Sequence, residues 1–211
     1  MISIYELKPK FQALLRPLCA RLAAAGVTAN QVTLSAFALS LVLGAAIALT
    51  KGAPLYLLLL APVLFIRMAM NAIDGMLARE FDQKSPLGAI LNELTDVLSD
   101  AALYLPFALI AGVNAALVVV LVLLAMIAEM TGVVAVQVGA ERRYDGPFGK
   151  SDRAFFFGAL GVGFAIVSAP GLWSDALLAL AIVLSILTIF NRAKNALKNT
   201  LKNTAGEDRN G

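Results

Sequence analysis

The stretch RMAMNAIDGMLARE, residues 67–80, followed after a short polar linker by GAILNELTDVLSD, residues 88–100, decides how this chain reads. Both segments are apolar enough for a membrane interior, yet they carry Arg67, Asp74, Glu93, Asp96 and Asp100. Ionisable groups are costly in a membrane helix and face a bundle interior or water, so these positions point to a site. At about 100° per residue, Asn71, Asp74 and Ala78 share one face of the first helix. Gly88, Asn92, Asp96 and Asp100 form a row with four-residue spacing on the second. The linker contains Pro86, so the two helices are expected to be antiparallel neighbours with their polar faces opposed near one membrane boundary.

The rest of the chain supplies the membrane. Of 211 residues, 60% are hydrophobic and 15% charged, and the mean hydropathy is +0.82, outside the range of soluble domains. Apolar runs near the roughly 20 residues that cross a bilayer recur throughout. The expected fold is an all-α membrane protein with an N-terminal amphipathic surface helix and six transmembrane helices near 32–50, 54–78, 87–111, 114–138, 154–169 and 175–193. Residues 1–30 scatter Lys8, Lys10, Arg16 and Arg21 through an amphipathic pattern, which suits a membrane-surface segment and not a cleavable signal peptide. Residues 31–193 would form the catalytic domain. Residues 194–211 read as a polar tail with too little apolar surface to pack, expected to fray.

All of the 17 Lys and Arg residues except Lys51 and Arg67 fall on one side of this topology. The positive-inside rule therefore places both termini and the long loops in the cytosol, in a multi-pass protein of the inner membrane.

The chain has no histidine and a single cysteine, Cys19. Ser-His-Asp and Cys-His catalysis, histidine-ligated zinc and an internal disulfide framework are thereby excluded. Carboxylates must do any acid, base or metal chemistry. Carboxylates and amides converging from two helices make a hard, oxygen-rich site suited to Mg²⁺ or Mn²⁺, with Asn71, Asp74, Asn92, Asp96 and Asp100 as candidate metal ligands. Gly75, Ala78 and Gly88 beside the polar row would let a planar or phosphorylated ligand approach the backbone closely.

From Asn71 to Asp96 the chain resembles the signature of the class-I CDP-alcohol phosphatidyltransferases, Asp-x2-Asp-Gly-x2-Ala-Arg-x8-Gly-x3-Asp-x3-Asp, with Asn71 and Asn92 where that pattern has its first and third aspartates. It most resembles the YnbA-like inner-membrane branch, in the start around Thr28, Asn30 and Thr33, in the variant signature, and in the segment GPFGKSDR at 146–153. The resemblance implies a homodimer with a cytosol-facing cavity open to the bilayer, and divalent-metal transfer of a substituted phosphate from a CDP-linked lipid to an alcohol, releasing CMP. The expected donor is CDP-diacylglycerol or another CDP-alcohol, and the acceptor a small alcohol; membrane lipids surround the protein and no nucleic acid is involved. Asp74 matches a metal and nucleotide-phosphate aspartate, and Asp96 the catalytic aspartate that deprotonates the acceptor. Gly75, Ala78, Arg79 and Gly88 match positions around the CDP group, and Asn30 and Thr33 match residues near the nucleotide. Lys150 and Arg153, with Arg142 and Arg143, match basic residues that hold an acceptor phosphate, although topology alone would also put charge there.

The two amides leave the chemistry open. Replacing two carboxylates removes two negative charges from a site that otherwise offsets two divalent cations. A rearranged but normal enzyme, a one-metal enzyme with another substrate, and a binder of the nucleotide lipid without turnover all fit, with Asp100 and Glu93 the nearest replacement ligands. A helix-gluing polar pair or the ion path of a small transporter are the readings in which Asp74 and Asp96 carry no transferase chemistry. Glu129, inside the fourth expected span, has no assigned role.

Overall fold

The computed structural model describes residues 4–166 and 170–207, which form seven α-helices and no strand. They are α1 Ile4–Ala24, α2 Ala29–Leu49, α3 Pro54–Glu80, α4 Pro86–Tyr104, α5 Ala115–Gln137, α6 Lys150–Ile166 and α7 Leu172–Glu207. Among the described residues, α2, α3, α5 and α7 are long and apolar enough to cross a membrane. By contrast α4 carries Glu93, Asp96 and Asp100, and α6 has only 17 residues. The acidic row that marks the candidate site is thus also what lowers the hydropathy of α4.

Boundaries depart from the sequence reading in three places. The third expected span ends early: α4 stops at Tyr104 and a 3-10 turn, Leu105–Leu109, follows. Pro106 has no N–H to give the Ala102 carbonyl, so the α-helical ladder breaks there. The helix expected from 154 begins at Lys150, where the Asp152 carboxylate accepts from the Gly149 N–H at 2.8 Å and caps the first turn; its expected end at 169 lies outside the described residues. The largest correction concerns the tail. Instead of fraying from 194, α7 continues to Glu207. Ala196 is buried with Ala135 and Ala140, and the Thr200 hydroxyl donates to the Val138 carbonyl at 2.9 Å.

The chain divides into two compact units. The first comprises Met1–Ala46 and Pro62–Leu103. Its core is built from Cys19 on α1, Ala29 and Val32 on α2, and Ile73, Met76 and Leu77 on α3. Here α1 is pinned to α3 at both chemistries: Phe11 meets Phe65 edge to face at 6.0 Å, and Arg16 pairs both guanidinium branches with Glu80 at 3.0 and 3.1 Å. Burial raises the Cys19 thiol pKa above its ordinary value, with the Glu80 charge adding to the effect. On α2, a Cβ at Gly44 would collide with the Ala102 carbonyl of α4, so glycine is what permits that close crossing.

The second unit comprises Ile47–Ala61 and Tyr104–Gly211. Its core holds an aromatic ladder in which Tyr104 stacks on Phe157 at 4.0 Å and Phe107 meets Phe157 and Phe164 at 5.3 and 6.0 Å. Of the Phe155–Phe157 run, Phe157 is fully buried and Phe155 exposed, a packing role for one and an outward apolar face for the other. In the connection after α5, burial pushes the Asp145 carboxyl upward. The two 2.7 Å hydrogen bonds from Arg143, its positive charge, and further hydrogen bonds from the Asp145 backbone and Asn195 together outweigh burial and hold it below the usual range.

Candidate active site

The first unit gathers most of the expected site residues. α3 and α4 run antiparallel: Arg67 lies opposite Asp100 and Asn71 opposite Asp96. The Asn71 amide donates to Asp96 Oδ1 at 3.0 Å. One turn away toward the start of α3, Arg67 Nη2 meets Asp100 Oδ1 at 2.6 Å, the Asp96 carbonyl at 3.3 Å and Asp96 Oδ1 at 3.9 Å. Arg67 is 3% exposed and Asp100 6%, so this ion pair is removed from water, where each charge depends on the other. Two unit charges about 4 Å apart at an effective dielectric near 20 interact by about 4 kcal/mol, enough for Arg67 to shape the field at Asp96.

Asp74 lies further along the α3 polar face, 4% exposed. The Thr33 hydroxyl of α2 donates to its Oδ2 at 2.7 Å. The start of α2 is itself fixed by the α3–α4 linker: Gln83 accepts from the Ala29 N–H at 2.7 Å and donates to the Val27 carbonyl at 3.3 Å. This holds Asn30 beside Gly88, where a Cβ would lie 2.8 Å from the Asn30 oxygen and 3.0 Å from the Ser85 hydroxyl. Gly75 likewise faces the Arg79 guanidinium, at 3.0 Å from where a Cβ would stand. Ala78 is half-buried against the α1–α3 core, and Asn92 is half-buried on α4.

Whether these residues fit a divalent cation is a question of donors. Among the described residues, no three acidic, cysteine or histidine side chains gather closely enough to hold an ion by themselves. The oxygens that Asp74, Asp96, Asn71 and Asn92 carry are of the kind a hard cation takes. Asp100, a candidate ligand from its place in the row, is instead committed to Arg67.

Lys150 and Arg153 belong to the second unit. There Arg153 Nη2 meets Glu129 Oε1 at 2.8 Å. Arg192 Nη1 lies 3.3 Å from the same oxygen, and Arg142 Nη2 3.6 Å from Oε2. Arg153 and Arg192 are each 1% exposed. Arg192 also donates to the Ala128 and Asp145 carbonyls. Glu129 is thus the buried counter-ion of three arginines from α6, α7 and the α5–α6 connection. The sequence gives Glu129 no role and does not single out Arg192; the signal for the cluster is an acidic residue deep in an apolar run. By charge distribution Arg67 is a topological exception, although its four-residue spacing to Asn71 is visible.

The family description CDP-alcohol phosphatidyltransferase matches residues 26–190. The chain is 47% identical over 196 residues to the inner membrane protein YnbA of Escherichia coli (strain K12), covering 93% of this chain and 97% of that one. This likeness and the four long apolar helices make it a membrane protein. Its fold is similar to that of phosphatidylinositol phosphate synthase (PgsA1) of Mycobacterium tuberculosis. Against the crystal structure in complex with manganese and citrate the TM-score is 0.70 at 20% identity, over 86% of this chain and 88% of that one. Against the crystal structure with CDP-DAG bound it is 0.67 at 18% identity, over 87% and 92%. With a match that takes in the α3–α4 pair and most of both units, the chain belongs to the CDP-alcohol phosphatidyltransferase family.

Proposed function

We propose that this protein transfers a phosphatidyl group from a CDP-linked lipid, CDP-diacylglycerol in the first instance, to a small alcohol, releasing CMP in phospholipid biosynthesis. The observation that carries the reading is the convergence of signature residues from three helices, Thr33 on Asp74 and Asn71 on Asp96. Relatives of similar fold lend support through their described ligands, manganese in one crystal structure and CDP-DAG in another.

In this reading the acceptor hydroxyl attacks the β-phosphorus. Its proton passes to the Asp96 carboxylate, the bond from phosphorus to the bridging oxygen breaks, and that oxygen leaves on CMP. Asp96 is suited to the task because Asn71 fixes one of its oxygens while its side chain stays 22% exposed, open to an incoming hydroxyl. Asp74, with Asn71 and Asn92, would hold Mg²⁺ or Mn²⁺, which supplies charge neutralisation on the phosphate oxygens. Asn30, Thr33, Gly75, Ala78, Arg79 and Gly88 would border the CDP group, Gly75 and Gly88 leaving room that a side chain would fill. Of the two basic residues considered for an acceptor phosphate, Arg153 is buried against Glu129, which leaves Lys150 on the second unit as the candidate.

Six membrane crossings complete the proposal, α4 and α6 being added to α2, α3, α5 and α7, with both termini cytosolic and a homodimer in the inner membrane. The test is purified protein with CDP-diacylglycerol, Mg²⁺ or Mn²⁺ and a panel of alcohols, scored by CMP and by the mass of the product lipid. Donor binding without CMP from any acceptor would favour the non-catalytic binder suggested by the two amides.

A further inference from the structure

We infer that Gln83, in the connection between α3 and α4, is a positioning residue for the CDP-linked lipid, setting Asn30 and Thr33 of α2 against the α3–α4 pair. The inference rests on the phosphatidyl-transfer reading above. The signature leaves this position open, and Gln83 lies outside the residues assigned to the nucleotide, the cation or the base.

Residues 81–85 alone join the two helices, and Gln83 turns both ends of its amide onto another part of the fold. Its Oε1 accepts from the Ala29 N–H at 2.7 Å and its Nε2 donates to the Val27 carbonyl at 3.3 Å. Those partners fix which end of the amide is which, since an N–H only donates and a carbonyl only accepts. Val27 is itself held, its N–H bonded to the Leu22 carbonyl at 3.0 Å where α1 ends. At the head of α2, Thr28 and Gln31 cap each other. Gln31 Oε1 accepts from the Thr28 N–H at 2.9 Å, and Thr28 Oγ1 accepts from the Gln31 N–H at 3.2 Å. The Ala29 N–H falls in the first turn, where the helix has no carbonyl to offer it, and Ala29 is 6% exposed. Gln83 supplies that acceptor.

The place of the α2 residues follows from these bonds. Asn30 comes next in the chain, and a Cβ on Gly88 would lie 2.8 Å from its Oδ1. One turn on, the Thr33 hydroxyl donates to Asp74 Oδ2 at 2.7 Å. Two residues beyond Gln83, Ser85 caps α4, its Oγ accepting from the Gly88 N–H at 3.0 Å. The short connection thus ties the start of α2 to the end of α3 and the start of α4. Asp96 is oriented separately, by Asn71 across α3 and α4. Gln83 therefore governs binding of the CDP-lipid and leaves proton removal alone.

Gln83→Met keeps the stem and removes both hydrogen bonds. Gln83→Glu keeps an acceptor for Ala29 at a helix N-terminus, where a carboxylate is favoured, and loses the bond to Val27. Equilibrium binding of CDP-diacylglycerol in detergent and steady-state CMP release are read side by side. Gln83→Met should raise Kd and KM for CDP-diacylglycerol roughly tenfold, the worth of one or two neutral hydrogen bonds. Its kcat and acceptor KM should stay within about twofold of wild type, and Gln83→Glu should lie nearer the wild type than Gln83→Met. Unchanged Kd in Gln83→Met, or an equal loss in Gln83→Glu, would overturn the inference. So would a fall in kcat as large as the rise in KM, or loss of the fold judged by elution, since either makes Gln83 a general scaffold residue. A wild type that binds CDP-diacylglycerol without releasing CMP would remove the transferase reading, and the Kd of Gln83→Met would still decide the inference. A wild type that binds none would remove both.

Discussion

The side-chain amide of Asn71 donates a 3.0 Å hydrogen bond to Oδ1 of Asp96, joining α3 to α4 at two positions where the signature that the chain resembles has carboxylates. An amide at this place orients Asp96 without adding charge. The proposed base is therefore held by the protein itself.

Replacing that base is the first consequence to measure. Asp96→Asn should lower CMP release by roughly 10²–10⁴-fold, the ordinary worth of a general base, while the protein stays folded and binds donor. Undiminished turnover would place the base elsewhere.

Thr33 tests the other carboxylate. Its hydroxyl donates to Asp74 at 2.7 Å inside the protein, and hydrogen bonds to charged groups are worth about 1.5–3 kcal/mol. Thr33→Val should raise the donor concentration for half-saturation by roughly tenfold or more, and Thr33→Ser should restore it. Unchanged donor affinity in Thr33→Val would separate Asp74 from the nucleotide site.

Glu129 governs stability in the second unit. Because Arg153 and Arg192 are buried against it, Glu129→Gln leaves cations without their counter-ion, a loss of roughly 3–5 kcal/mol. Thermal unfolding in detergent should show it. Adding Arg192→Leu should recover part of the loss, a non-additivity expected of residues sharing one charge. Strict additivity would mean that Arg192 draws its stability from the backbone carbonyls instead.

Topology has its own readout. Cysteines placed at Lys84, Lys150 or Lys202 in a Cys19→Ser background should be labelled only from the cytosolic side, following the one-sided distribution of Lys and Arg. Labelling from the periplasm at any of the three would break the six-crossing arrangement.

Much of the first unit is legible in the chain because its chemistry is local. Helical spacing on α3 and α4, with only residues 81–85 between them, sets Asn71 opposite Asp96. What periodicity cannot show is which partner a charge selects. Asp100 stands in register with Asp96 and reads equally well as a ligand; only the antiparallel crossing puts it beside Arg67. Glu129 and Arg192 lie 63 positions apart by their numbering, and nothing in either local pattern announces their contact. The continuation of α7 was hidden for a related reason. Its polar composition suggests a frayed tail, whereas a small apolar contact at Ala196 and one hydroxyl bond from Thr200 tie it down.

With amides at Asn71 and Asn92, the central question is whether this site performs chemistry. CMP release by the purified protein from CDP-diacylglycerol, with Mn²⁺ or Mg²⁺ and a panel of small alcohols, measures that most directly. The account predicts CMP and a new phospholipid in equal amounts, dependent on both cation and acceptor, and absent in Asp96→Asn. Donor bound without CMP under every acceptor, or solute flux in proteoliposomes without CMP, would contradict it.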